Sequence, residues 1–270
     1  MQTPLLPKTS DADVADSLAI FKLILRFTAG PHGNNMTGPE LAKRDNALAN
    51  YIIHKGIVRQ ELRDEIYCQI CNQTWRNDDP NAVARCWLLM SGCLSAFPPS
   101  TTLYKYLLKY VSDHAYDGYR AICQQKLMQS YNMEPPLARV YPPTVMEWKA
   151  NRKCVNMALE ARYPDGDSRH AGVDSWSTAE SVSSLMMRSR GLDPIEAEGW
   201  TLSMSQSDQL FDLNGQDFIL DVVSELETPP AFPIQKGGHF LSSRLSKDDH
   251  RHHQPSRRPP SKSSNYQVNP

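Results

Sequence analysis

The longest gap-free helical pattern in the chain runs from Ile57 to Gln73, IVRQELRDEIYCQICNQ. Val58, Leu62, Ile66 and Ile70 recur every fourth residue, and Ile57 and Tyr67 widen the stripe, which predicts one buried central helix. Arg59, Glu61, Arg63, Asp64, Glu65 and Gln69 interleave with it, placing opposite charges three or four residues apart. The spacing predicts a structural salt-bridge role for Arg63 and Glu65. Asp64 and Glu65, adjacent on a helix, point about 100° apart and form no paired acid–base site.

The same reading organises the flanks. Thr9, Ser10 and Asp11 offer caps for a helix through Val14, Leu18, Ile20, Phe21, Ile24, Leu25 and Phe27 that stops near Gly30-Pro31. Residues 29–39 read as a loop, and a helix from Glu40 ends at Gly56. Asn77 to Pro80 caps a helix over 82–97 that is apolar nearly all round. Phe97-Pro98-Pro99-Ser100 breaks it before a helix through Leu103, Tyr106, Leu107, Leu108 and Val111. A last helix, 118–131, has Tyr119, Ile122, Cys123, Leu127 and Met128 inside. Residues 8–132 are therefore expected to be all-α.

Prolines at 135, 136, 142 and 143 punctuate a short linker, and the period then changes. Met157, Leu159, Ala161 and Tyr163 alternate with polar residues, Pro164-Asp165-Gly166 makes a turn, and a second strand runs to Val173, a β-hairpin. Ser177 to Glu180 fits a capping box for a helix with Val182, Leu185 and Met186 inside and Gly191 as its stop. Trp200, Leu202 and Met204 read as a strand, and 218–226 as a strand or short helix. The expected organisation is a helical domain over 8–137, a small α+β lobe of β-grasp type over 138–228, and a disordered Pro/Ser/His/Arg-rich tail over 229–270.

Composition refines this picture in two ways. The 270 residues, 40% hydrophobic, can fill a core. The formal net charge of −1 is uneven: +1 over 1–137, −7 over 138–228 and +5 over 229–270. Polyanion binding would therefore need a local patch or the tail, and no aromatic residues interleave with the run His250-Arg251-His252-His253 and Arg257-Arg258 to suit single-stranded nucleic acid. No apolar run approaches the roughly 18 residues of a membrane span, and the polar N-terminus lacks a signal-peptide layout, so a cytoplasmic protein is expected. The six cysteines fall in apolar helical patterns, which suits buried reduced thiols.

Glu61 to Ile70, Asn72-Gln73, the turn at 77–80, Trp87-Leu88-Leu89 and Phe97 to Ser100 ahead of Tyr106-Leu107 resemble, in order and spacing, the MyTH4 domain of unconventional myosin tails. Pro142-Pro143, Glu147-Trp148, Met157 to Tyr163, Asp165-Gly166, Trp176 to Glu180 and Gly199-Trp200 resemble the ubiquitin-like first lobe of a FERM domain. Phe21 to Phe27, Lys105 to Asp113 and Phe232 to Lys236 look most like a class XV myosin. The structural signature carried over is Leu62, Arg63, Asp64, Glu65, Ile66, Tyr67, Gln69, Trp87, Pro98 and Pro99. Asn72 and Cys86 stand where the family usually has Lys and Gly. Nothing beyond about residue 236 resembles the second and third FERM lobes.

The resemblance implies a non-catalytic tail module of an actin-based motor, without cofactor, that binds protein cargo or microtubules in the cytoplasm, associated with the cytoskeleton and its actin-rich protrusions. The parent motor would be an actin-activated ATPase, but no G-x-x-x-x-G-K-S/T loop occurs here. Lys43, Arg44, Lys55, Arg59, Lys105, Lys109, Arg120 and Lys126 are candidates to share a surface that attracts acidic partners such as tubulin tails. The rival reading is an autoinhibitory module, the acidic lobe and basic tail folding back on the motor head. A remoter one is a zinc or hydrolytic enzyme: Cys68, Cys71, Cys86 and Cys93 could supply four thiolates, but zinc CxxC pairs usually sit on turns, and no G-x-S-x-G elbow is present. His54, at a helix end, suits its terminal carbonyls, and Arg257-Arg258-Pro259-Pro260 suits a linker or an SH3 ligand.

Overall fold

Ser10 starts the first helix, its hydroxyl accepting from the Asp13 amide at 3.1 Å. Helix α1 (Asp11–Thr28) then runs to Gly30, whose φ of +70° ends it as expected. The computed structural model describes residues 1–30, 38–133, 138–193, 195, 198–206, 209–229 and 232. Met1–Gly238 form one compact unit.

The central helix expected over Ile57–Gln73 is two helices. Helix α2 (Gly38–Val58) stops, Arg59 is extended, Gln60–Leu62 make a 3-10 turn, and α3 (Arg63–Thr74) begins. Arg63 explains the break. Its Nε donates to the Gly56 carbonyl at 2.9 Å and its Nη2 to that of Ile57 at 3.4 Å, replacing the amides of a further turn. Val58 consequently leaves the stripe and is exposed, while Ile57, Leu62, Ile66, Tyr67 and Ile70 are buried. Gly56, two residues short of the helix end, lies against Phe97: an added Cβ would meet that ring at 2.4 Å.

Asp79 caps α4 (Pro80–Leu94), accepting from Asn81 and Ala82, and Ser100 caps α5 (Thr101–His114). Helix α6 (Asp117–Tyr131) follows. Its Cys123 and Leu127 are buried, but Met128, expected inside, is exposed. One apolar cluster joins α1 through α6, with Trp87, Leu89 and Leu94 of α4 fully buried in it.

Where a linker was expected, Val145–Lys153 form α7. Its start is a capping box in which Thr144 accepts from the Glu147 amide and Glu147 from the Thr144 amide. Trp148 on α7 enters the helical core.

Next, β1 (Met157–Arg162) pairs antiparallel with β2 (Ser168–Val173), Met157 opposite Val173, around a turn with Gly166 at φ +88°. The cap of α8 (Ala179–Ser189) is Thr178 with Ser181, one residue later than the expected Ser177–Glu180 box. Met187 takes the inward place expected of Leu185, which is exposed. Strand β3 (Ser203–Gln206) begins after Trp200 and Leu202 and pairs with β4 (Gln209–Asp212); the last segment is a helix, α9 (Ile219–Glu227). The architecture is thus a helical bundle followed by a small α+β lobe. Among the described residues its hairpins are two separate two-stranded sheets. Apart from Pro229 and Phe232, the tail expected to be disordered lies outside the described residues.

Candidate partner surface and the junction behind it

The signature residues of α3 fasten four other segments. Glu65 is fully buried and accepts the Leu5 and Leu6 amides at 2.9 and 2.8 Å. Gln69 donates to the Ser17 carbonyl on α1 and to Glu65. Asp64 accepts from the Ser100 amide and hydroxyl at the start of α5, and the Tyr67 hydroxyl donates to the Phe97 carbonyl at 2.5 Å. The salt-bridge role expected of Arg63 and Glu65 is not seen among the described residues; Arg63 serves backbone carbonyls of α2, and Glu65 the Leu5 and Leu6 amides and the Gln69 side chain. Leu62, Ile66, Trp87, Pro98 and Pro99 are buried around this hub.

The candidate basic residues divide. Lys55 and Arg59 pair with Asp16 of α1, and Arg59 also pairs with Asp13. Lys43 and Arg44 are exposed on α2. Lys105 and Lys109 are exposed on α5, where the Lys105 ammonium lies 5.1 Å from the Tyr106 ring centroid and Lys109 bonds Asp113. Arg120 is exposed on α6 and caps α5, donating to the Ala115 carbonyl at 3.0 Å. Lys126 does not share a surface with these residues. It is buried, its ammonium held by Ser95 Oγ at 2.6 Å and Ser175 Oγ at 2.9 Å. Burial lowers its pKa, against the opposing charge of Glu147.

Sequence reasoning missed the aromatic half of the α5–α6 face. Tyr106 is 62% exposed, Tyr104 of α5 stacks on Tyr131 of α6 at 4.3 Å between centroids, and Tyr131 and Met128 are exposed. The signal was present as Lys105, Tyr106 and Lys109 at three- and four-residue spacing, outside the buried stripe of Leu107 and Val111.

Lys126 belongs to the junction of bundle and lobe. Arg139, buried, bonds Glu147 of α7 at 2.6 Å and Asp221 of α9 at 2.9 Å. Burial disfavours its charge, but the two carboxylates outweigh that and raise its pKa. Glu147 is held below the ordinary carboxylate range by Arg139 in spite of burial, whereas burial leaves Asp221 above it. Asp221 also accepts the Val140 and Tyr141 amides. The end of α4 supplies four consecutive carbonyls. Leu94 accepts from Trp176 Nε1 at 3.0 Å, Ser95 from Arg139 Nη1, Ala96 from the Arg139 amide at 2.8 Å, and Phe97 from Tyr67.

Among the described residues the six cysteines form no disulfide and no His/Cys/Asp/Glu cluster has metal-binding geometry. Burial pushes the Cys68 thiol up to about 11 and Cys86 and Cys123 to about 12, opposite to the acidic shift of a reactive or metal-binding thiol. His54 is buried at the end of α2 with the edge of Phe232 against it, and burial followed by the charge of Lys55 lowers its pKa. Its Nε2 has no partner among the described residues. The expected contact with terminal carbonyls is made by Arg63 instead.

Residues 49–150 match the MyTH4 domain family. Those residues form a MyTH4 domain, and over most of its length the chain resembles the MyTH4-FERM region of unconventional myosin tails. It is similar to human unconventional myosin-XV, 41% identical over 240 residues, which span 87% of this chain and 6% of that protein. The fold matches the Dictyostelium discoideum myosin VII MyTH4-FERM MF1 domain with a TM-score of 0.72 at 20% identity, covering 93% of this chain and 54% of that one. It also matches the human Myosin 7b C-terminal MyTH4-FERM domain, solved in complex with the harmonin-a PDZ3 domain, with a TM-score of 0.66 at 23% identity, covering 87% and 49%.

Proposed function

We propose that this chain is a non-catalytic docking module of a myosin-type tail, engaging acidic protein partners through the face formed by α5 and α6. The observation that carries the reading is the exposed set Lys105, Tyr106, Lys109, Met128 and Tyr131, joined across the two helices by the Tyr104–Tyr131 stack. Tyrosine and methionine beside cations are the residue types that interfaces favour. Arg120 lies on the same helix pair, while Lys55 and Arg59 are engaged by α1 acids and serve the fold. The complex of human Myosin 7b with a harmonin PDZ domain supports a protein as cargo.

Acidic tubulin tails fit the same chemistry, so microtubules are the second candidate partner. Co-sedimentation at low salt compares the chain with Lys105→Glu/Lys109→Glu. Pelleting that falls at least tenfold in the variant is expected, since two reversed charges oppose an acidic tail. If neither protein pellets, microtubules are excluded and protein cargo remains. In the parent motor, which would hydrolyse ATP on actin, the module would act in the cytoplasm at actin-rich protrusions. None of the described helices is long and apolar enough to cross a membrane. The charge asymmetry between 138–228 (−7) and 229–270 (+5) supports a regulatory reading as well, a salt-sensitive fold-back on the motor head that deletion of 138–270 abolishes.

A further inference from the structure

A groove of about 280 Å³ opens on the lobe alone, between the start of α8 and the segment that leads into β3. Glu180 of α8, Glu198, Trp200 and Leu202 ahead of β3, and Leu213 and Gly215 after β4 line it. Three hydrogen bonds tie these walls together. The Glu180 amide donates to the Gly215 carbonyl at 2.9 Å, the Ser183 hydroxyl of α8 to the Trp200 carbonyl at 2.9 Å, and the Leu213 amide to the Leu202 carbonyl at 2.8 Å. Gly199, at φ +85°, takes the left-handed turn between Glu198 and Trp200 that a side chain would strain. Gly215 leaves the opposite wall open, and Glu180 Oε2 lies 3.6 Å from where a Cβ would stand there, so this carboxylate borders the groove.

Sign and shape together define the occupant. The charged side chains of the lining are Glu180 and Glu198, with no cation beside them. Neither has an ion pair among the described residues; the Gln216 amide donates to Glu180 Oε2 at 2.9 Å and leaves Oε1 open. Residues 138–228 carry −7, so the surrounding field repels an anion and draws a cation. A bare metal ion would leave Trp200, 45% exposed, and the two leucines uncovered. The volume falls just below the roughly 300–1,000 Å³ of small-molecule pockets, which suits a single side chain. Arginine has every complementary part: its planar guanidinium stacks on an indole, its fork of donors meets carboxylate oxygens, and its alkyl stem covers aliphatic surface.

We propose that this groove is a docking site for an arginine side chain on a basic segment of a partner protein. It gives the lobe a recognition surface opposite in sign to the α5–α6 face. The site goes beyond the docking reading above and does not rest on it, since no residue of α5 or α6 contributes to the groove.

The test uses the full chain at low salt and a defined probe, the capped tripeptide N-acetyl-Ala-Arg-Ala-amide, titrated into ¹⁵N-labelled protein. The same peptide with norleucine in place of arginine is the uncharged control. The Trp200 indole N–H, assigned by its absence in Trp200→Phe, and the Gly199 and Thr201 backbone amides should shift saturably with the arginine peptide and not with the control. Affinity should fall about threefold in Glu198→Gln and about tenfold in Trp200→Ala, both exposed positions, and hold in Glu160→Gln, which removes the same charge from the first hairpin. No saturable shift, the same shifts with norleucine, or equal losses in Glu160→Gln and Glu198→Gln would each overturn the proposal, the last by assigning the attraction to the lobe's general charge. A Trp200 signal that moves without peptide would also overturn it. Movement with rising protein concentration would give the groove to a second copy of the chain, and movement on Arg257→Glu/Arg258→Glu would give it to the chain's own basic residues.

Discussion

In the helical unit one apolar cluster extends from Ile20 on α1 to Leu127 on α6, and the polar residues of α3 are spent on ordering segments around it. The lobe is built differently. Val182, Met186, Phe211 and Val222 are buried, but its two hairpins do not pair with each other among the described residues, and an isolated two-stranded hairpin is marginal in water. Several of its buried polar contacts reach the bundle: Ser175 on Lys126, Trp176 on the Leu94 carbonyl, and Arg139, itself paired with Asp221, on the Ser95 and Ala96 carbonyls. The contrast teaches that the bundle has a core of its own, whereas the lobe draws much of its order from the junction.

Ile66→Asp attacks the self-sufficient side and should have the largest effect. An unpaired carboxylate at a fully buried position costs several kcal/mol, comparable to the stability of a small domain. Loss of the helical circular dichroism at room temperature is expected. A variant that melts like the parent would show that the bundle does not depend on this stripe.

Arg139→Met attacks the dependent side. It strands Glu147 and Asp221 in a buried site, for which about 3–5 kcal/mol is expected. If the comparison holds, the emission of Trp176 changes at lower urea than the helical signal does, so that one transition becomes two. A single coincident transition would mean that bundle and lobe unfold as one body.

The smallest effect is expected at His54, which sharpens the comparison by titrating the bundle alone. Its pKa is lowered from 6.5 in the folded state, so its contribution is complete above pH 6.5 and is lost as pH falls toward the folded value, where the unfolded chain takes up the proton first. Between about pH 7.5 and about pH 5.5 the parent should lose a little more melting temperature than His54→Gln. Equal losses would remove His54 from the acid sensitivity of α2.

How much of this could be read from the residues depended on range. The helices of the bundle follow from local apolar spacing and from caps such as Ser10, Asp79 and Ser100, and the first hairpin follows from alternation around Asp165-Gly166. Helix α7 was legible in principle, since Thr144 and Glu147 stand at capping-box spacing, but four nearby prolines suggested a linker. The break at Arg59 was not legible locally, because the group that replaces the missing turn is the Arg63 side chain curling back onto α2. Lys126 looked like any lysine on an amphipathic helix; its burial is decided by Ser175, 49 residues later. Arg139 and Asp221, 82 residues apart, leave no local trace of their pairing.

The four carbonyls from Leu94 to Phe97 have a consequence for how such a segment can be inherited or trimmed. Only Phe97 is served from within α1 to α6; the other three are met by Arg139 and Trp176, which lie beyond the last helix of the bundle. An excised bundle would carry an edge where α4 ends whose three carbonyls are left to water, and a shortened gene product that kept the helices and discarded the lobe would lose the side chains that now seal it.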